Sequence, residues 1–424
     1  MLRLTFAVVA AASAVVSLSM SPAAAGAELT LPEAIERALA ADPRLQAADA
    51  QLAAAAHRVA QAGRRPNPTL DLELENFGGT GALAGFAASE LTAMLGWSVD
   101  LGGKRAAGVE VAAAGRDRAA AETAQTRLAV IARTRMAFTA VHAKQARLAL
   151  LAERQTLDAE VQADLRRRAA FGAAASLDTL RAALAAGTTE VEIARARSEL
   201  AAARRQLAAC WNASAPDFAR VSGALTTGGG PRPLGLLLDE LNLAPALIAQ
   251  AGEQQIRLAE AALAARASRV DLDVGLGLRF ENQTGERGLV LALGLPLPAA
   301  DRGTDALAAA RAEVRAGEYA GQAAYRELAA NLVAGWEHLD GLHREALAHE
   351  ELLLPVAEAL YAEARQHLQR GRLSLTDVLA VRSDLLQLQD RRLDLLEQYH
   401  MTAAELTGLT GLDLLGGAAA EVRP

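Results

Sequence analysis

From Lys104 to Ala170 the chain runs for about 65 residues with almost nothing to break a helix. At 1.5 Å per residue such a helix is about 100 Å long, far beyond the width of a compact domain. A second stretch, Asp305 to Arg370, has the same character apart from Pro355, which is expected to kink it. Apolar residues recur along both. Leu128, Ile131, Phe138, Val141, Leu148 and Leu151 alternate steps of three and seven, and Leu332, Leu339, Ala346, Leu353 and Leu360 step by seven. These spacings are those of coiled-coil seams. Composition agrees, because alanine dominates and aromatics are only 3%. Such a mixture suits long helices packed side by side.

The two helical stretches belong to two copies of one plan. Asp42-Pro43-Arg44-Leu45 opens a helix in the first half, and Pro245-Ala246-Leu247 does so about 202 positions later. Each helix leads to a strand, a turn and a second strand, then to the long helix. Both long helices reach a matching turn with identical internal spacing: Gly172, Asp178 and Leu180, then Gly371, Asp377 and Leu379. A closing helix follows in each, ending near Trp211 and Thr410. A tandem duplication is expected. Its parts are a first repeat over 28–212 with a hairpin about 69–101, a connector over 213–238, and a second repeat over 239–412 with a hairpin about 271–297. A flexible tail over 413–424 completes the division. The connector is inferred from Gly228-Gly229-Gly230 and nearby prolines.

The strands alternate strictly. Leu70, Leu72 and Leu74 alternate with Asp71, Glu73 and Glu75. In the second strand Leu91, Ala93, Leu95, Trp97, Val99 and Leu101 alternate with Thr92, Met94, Gly96, Ser98 and Asp100. The third sets Leu272, Val274, Leu276, Leu278 and Phe280 against Asp271, Asp273, Gly275, Gly277, Arg279 and Glu281. The fourth sets Leu289, Leu291, Leu293, Leu295 and Leu297 against Val290, Ala292, Gly294 and Pro296. Period-two alternation gives each set its own face. Strands of this kind suit a barrel wall in lipid. A soluble sandwich with one wet face is the alternative, but no second sheet is evident to cover the leucines. Four strands cannot close a barrel, since spanning barrels start at about eight, and hydrocarbon does not tolerate open edges. The wall must therefore be completed by further copies, as a dimer or trimer enclosing a pore. The fold class expected is an α+β membrane protein: a long α-helical coiled-coil barrel plus a transmembrane β-barrel closed by homo-oligomerisation.

The N-terminus looks like an export signal over 1–27. Arg3 is followed by an apolar run to Met20, then Ser21-Pro22 and a small-residue site at Ala25-Gly26-Ala27. No later stretch has about 18 to 20 uninterrupted apolar residues, so no membrane-spanning helix is expected. Cys210 is the single cysteine and is expected to be a small buried hydrophobe near a helix end rather than a reactive thiol. A formal net charge of −7 gives no sign of a nucleic-acid partner.

At the level of motifs the chain resembles the TolC-like family of outer-membrane efflux proteins over essentially all of its mature length. The match is carried by the duplicated helix–hairpin–helix plan. Pro66-Asn67-Pro68, Leu72-Glu73-Leu74-Glu75-Asn76-Phe77-Gly78-Gly79, Leu101-Gly102-Gly103-Lys104-Arg105, Leu295-Pro296-Leu297-Pro298 and Asp301-Arg302-Gly303 are similar to the CzcC-like, cobalt-zinc-cadmium branch. The resemblance implies a homotrimer in which four strands from each of three chains form the barrel, with an α-helical tunnel in the periplasm. It implies docking to a periplasmic adaptor and to an inner-membrane pump of the resistance-nodulation-division type, which supplies the energy. It places the periplasmic aperture at the helix turns, with Asp377 as a carboxylate ring and Gly172 and Gly371 at the tips that contact the adaptor. A second aspartate found in the family's drug-exporting member is replaced here by Ala380. Asp178 and Arg372 stand where interchain salt links could hold the mouth shut. The plainer reading is that both aspartates cap the closing helices.

Other chemistry is not expected. His338, His343 and His349 are spaced by five and six, not the three or four that aligns ligands on a helix face, and are taken as solvated. No nucleophile–base set, phosphate loop or cysteine cluster is evident, so neither an enzyme nor a cofactor is expected. The acidic row Asp71, Glu73, Glu75, Asp271, Asp273 and Glu281 is expected to face the lumen, where charge rings favour cations; the plainer reading is that lumen positions need only to be polar. Three functions stand open: a metal-cation efflux channel, the same channel serving drugs or secreted polypeptides, and a non-conducting periplasmic coiled-coil scaffold.

Overall fold

A computed structural model describes residues 28–170, 176–297 and 300–415. The export signal and Gly172 lie outside the described residues. The chain opens with β1 (Glu28–Leu29), α1 (Leu31–Ala41), α2 (Pro43–Ala62), β2 (Thr69–Glu75) and β3 (Glu90–Val99). Then come α3 (Lys104–Ala170), α4 (Ser176–Ala208), β4 (Arg220–Val221), α5 (Leu234–Glu240) and α6 (Pro245–Ala267). The second half continues with β5 (Leu272–Glu281), β6 (Arg287–Gly294), α7 (Thr304–Ala348), α8 (Leu354–Gln369) and α9 (Leu375–Thr410). Each half runs in the order helix, hairpin and long helices. The fourth strand, however, ends at Gly294, so Leu295 and Leu297 lie beyond it.

The strands form one antiparallel sheet in the order β2-β3-β5-β6, joining the two hairpins through β3 and β5. Thr92 stands opposite both Glu73 and Arg279, and Leu278 pairs with Ala93 on one side and Leu289 on the other. This register aligns every leucine on one face. Among the described residues nothing covers that face: Leu72 is 68% exposed and Leu289 80%. Neither β2 nor β6 has a strand on its outer edge among the described residues.

The core lies in the helical part. In the lower half α3 packs between α4 and α9, and α9 packs between α3 and α8. The first seam holds, with Ile131, Phe138, Val141 and Leu151 buried. The second holds only through Leu332, Leu339 and Ala346, each fully buried; Leu353 and Leu360 are exposed. The cause is a π-helical turn at His349–Leu353, which ends two residues before Pro355. A π turn carries an extra residue and rotates everything after it by about 100°. The buried or half-buried seam resumes at Leu354, Ala357, Tyr361, Ala364 and Leu368, again in steps of three and four. Pro355, lacking an N–H, sits where the ladder is already broken.

Two expectations are corrected here. The 213–238 segment is not a plain connector, since β4 pairs in parallel with β1 and α5 begins within it at Leu234. Residues 413–415 are not a loose tail: Leu414 is fully buried and its carbonyl accepts from the Arg232 amide at 2.8 Å. One described stretch, Leu234–Ala267, also passes the length and hydropathy test for a membrane span, against expectation. It is not one rod, because a 3₁₀ turn at Leu241–Leu243 and Pro245 divide it. Its α6 part packs against α3 and α7, and Arg118 of α3 pairs with its Glu253 at 2.7 Å.

Candidate functional site

The polar face of the sheet carries Asp71, Glu73 and Glu75 from β2 and Asp273 and Glu281 from β5, as the alternation predicts. Asp271 departs from this pattern. It precedes β5 and pairs with Lys104 Nζ at 3.0 Å. Backbone pairing stops at Leu272, so the strand alternation does not reach Asp271. Glu90 joins the face instead, opposite both Glu75 and Glu281. Three carboxylates thus line up across three strands at the end remote from the helices. Like charges so aligned repel. Arg279 stands beside them, with Nη1 3.2 Å from Glu90, Nη2 3.6 Å from Glu75, and Nε donating to Thr92 Oγ1 at 3.0 Å.

Where sheet meets helices, the Leu101-Gly102-Gly103-Lys104-Arg105 motif is a helix start. Asp100 accepts the Lys104 and Arg105 amides at 3.0 and 2.8 Å, and those amides, Arg105 foremost, hold its carboxyl below the usual range. Gly103 is left-handed at φ +70°, as is Gly303 at φ +69° in the matching Asp301-Arg302-Gly303 motif, a backbone glycine adopts without strain. Asp301 accepts the Gly303 amide at 2.8 Å. Arg105 reaches the Gly63 carbonyl, Arg266 that of Gly103 and Arg269 that of Gly102. The start of α3 is therefore fixed by the Asp100 cap and by guanidinium contacts, whereas α7 begins at Gly303 without a side-chain cap.

At the opposite end, α8 closes through Gly371 at φ +68°, with the Gly371 and Arg372 amides bonded to the Leu368 and His367 carbonyls. That pattern is a Schellman motif. Asp377 then forms a capping box at the start of α9: its carboxylate accepts from the Ser374 amide and hydroxyl, and its amide donates to Ser374 Oγ. Asp178 lies in the first turn of α4, 3.9 Å from Arg181. Among the described residues no ion pair involves Arg372 or Asp377. The two halves are joined at this level by Arg181 donating to Thr376 Oγ1 at 3.0 Å, a contact 195 positions apart with no local signature.

Higher on the α3–α9 seam a ladder of ion pairs fixes the antiparallel register: Lys144 with Glu397, and Arg147 with Asp394 and Asp390. Its lowest rung is reversed and buried. Asp158 of α3 meets Arg382 of α9 at 2.7 Å, each side chain about 5% exposed. Thr189 of α4 donates to the same carboxylate at 2.6 Å, and Arg382 also donates to the Arg154 carbonyl. Three helices meet at this clasp.

The histidines are not all solvated. His338 is exposed, but His349 is buried in the π turn, and His343 lies half-buried against Tyr399, with ring centroids 5.7 Å apart. His142 and His400 bond the Gly223 and Thr226 carbonyls at 2.8 and 2.9 Å, strapping the segment after β4 to α3 and α9. Burial lowers the His400 pKa from its ordinary value. Cys210 is buried as expected, and burial raises its thiol pKa. Among the described residues no group of three or more His, Cys, Asp or Glu could hold a metal ion.

Comparison with known proteins gives three concordant results. Residues 34–213 match the family model described as outer membrane efflux protein. The cobalt-zinc-cadmium resistance protein CzcC of Cupriavidus metallidurans is 27% identical over 392 residues, covering 92% of each chain. Among solved structures, the fold resembles CusC, described as forming a transmembrane channel, at TM-score 0.74 and 16% identity over 91% of this chain and 93% of that one. It also resembles the outer membrane protein VceC of Vibrio cholerae, at TM-score 0.70 and 19% identity over 90% and 96%.

Proposed function

We propose that this chain, a member of the outer membrane efflux family, is the outer-membrane channel of a metal-cation efflux system and works as a homotrimer. The observation that carries the reading is the sheet. One face is an uncovered leucine surface, the other is acidic, and both edges lack a partner among the described residues. A lipid-spanning barrel needs such faces and cannot leave edges open. Three copies supply twelve strands, enough to close.

The helical part supports the same assembly. Its two lateral helices in the lower half each expose an apolar stripe: Leu177, Leu180, Leu184 and Val191 on α4, and Leu352, Val356 and Leu360 around the start of α8. Leu177, Leu184 and Val191 step by seven, a seam without a partner among the described residues. Joining one copy's α4 edge to the next copy's α8 edge is a head-to-tail contact, which closes into a ring. The resulting duct would run about 100 Å below the barrel, long enough to meet a periplasmic adaptor and, through it, an inner-membrane pump of the resistance-nodulation-division type. The chain's part is passive conduction, with the ring of Asp377 as the constriction.

Metal cations are favoured as cargo by the kinship to a cobalt-zinc-cadmium resistance protein and by the acidic polar face. The test is growth of a deletion strain across zinc, cobalt, cadmium, nickel, copper and a panel of drugs. Sensitivity confined to metals supports this cargo and names it. Drug sensitivity with normal metal tolerance keeps the channel and overturns the metal.

A further inference from the structure

The acidic face poses a problem for an exit channel. Asp71, Glu73, Glu75, Glu90, Asp273 and Glu281 lie on the polar face of the sheet, and Glu75, Glu90 and Glu281 are aligned in one row at the outer end. Repeated around a closed barrel, that row would be a dense ring of carboxylates at the point where cargo must leave. Conduction needs binding strong enough to draw an ion in and weak enough to release it. A divalent cation meets twice the attraction of a monovalent one, so it is the species such a ring would trap.

Among the described strand residues Arg279 is the one cation on this face; Arg287, the other arginine of the hairpin, sits on the apolar face over Phe280. Arg279 is held from three directions, by Glu90, Glu75 and Thr92. Its guanidinium is only half-buried, so its charge still reaches passing ions. We propose that Arg279 is a specificity-determining residue of the channel: its fixed countercharge keeps the Glu75–Glu90–Glu281 row from retaining divalent cargo, so that the acidic face attracts cations without holding them. The inference rests on the channel reading above. The arrangement also stitches β2, β3 and β5 together, and the two roles separate on ion permeation.

The experiment is single-channel recording of the full-length protein in planar bilayers with ZnCl2 added on the outer side. Arg279→Gln removes the charge and leaves an amide that can still donate to Thr92. With the countercharge gone, Zn²⁺ block is expected at roughly tenfold lower concentration than in wild type, because a unit charge about 6 Å from a divalent ion alters its binding by about that factor in water. The reversal potential in a KCl gradient is expected to shift toward cation selectivity. Arg279→Lys is expected to behave as wild type. Wild-type Zn²⁺ sensitivity in Arg279→Gln would overturn the proposal while leaving the channel intact. A wild-type protein that forms no channel at all would overturn both. Should Arg279→Gln not assemble, Glu281→Gln probes the same balance from the other side. It leaves the Arg279 pairs in place and is expected to weaken Zn²⁺ block below wild type; unchanged block would again overturn the role.

Discussion

Substitution of Arg382 by leucine isolates the buried clasp between the two halves. Asp158 and Arg382 are each about 5% exposed and 2.7 Å apart. Removing the arginine leaves the Asp158 carboxylate in the interior with, among the described residues, only the Thr189 hydroxyl as a close donor. Breaking a buried pair from one side costs about 3–5 kcal/mol, whereas replacing both partners by apolar residues of similar size is often near neutral. The cost should fall locally, where α3, α4 and α9 meet, and not on the distant sheet. Hydrogen exchange measures it: a loss of about 3 kcal/mol speeds exchange of the protected amides by roughly 10²-fold. Arg382→Leu is therefore expected to accelerate exchange in α9 near Val378–Leu386 and leave β3 and β5 unchanged. Asp158→Leu with Arg382→Leu should recover most of the protection. Equal exchange in the single variant and wild type, or a double variant worse than the single, would refute this account of the clasp.

Two further predictions concern the helix tips and the strap. Ser374→Ala and Asp377→Ala both break the α9 capping box and should each cost about 1 kcal/mol of local stability. If Asp377 also constricts the pore, only Asp377→Ala raises bilayer conductance; equal conductance in the two variants would leave capping as its role. His400 has a pKa lowered by burial, so folding favours its neutral form. The stability this group controls is complete above its ordinary pKa of 6.5 and is lost as pH falls from there through the lowered value. Exchange in residues 222–230 should accelerate over that acid window in wild type, and a His400→Gln variant should lack the His400 contribution.

Much of this architecture was legible because its signals are local. The alternation of leucine with Asp, Glu and Gly predicts both hairpins and both faces, and the absence of helix breakers marks α3 from Lys104 to Ala170. The Gly371–Asp377–Leu379 spacing marks the tip in the second half. What escaped is set by contacts between distant segments. A π turn has no fixed residue signature, so the heptads at Leu353 and Leu360 looked continuous although the phase slips after Ala346. Arg279 was visible in the third strand, but its effect on Glu75 and Glu90 depends on the pairing of β2, β3 and β5. His142 and His400 carry no local signal, because their partners are carbonyls of a loop 81 and 174 positions away. Asp377 was legible as a tip residue, and the structure adds that its intrachain partner is Ser374.

The central claim is that four strands per chain become a closed, lipid-spanning wall only through three copies. Electron cryo-microscopy of the purified full-length protein in lipid nanodiscs tests it most directly. The account predicts a threefold particle with a closed barrel of twelve strands in the disc and a helical duct extending about 100 Å from it. A monomer, or a sheet with free edges outside the lipid, would contradict it.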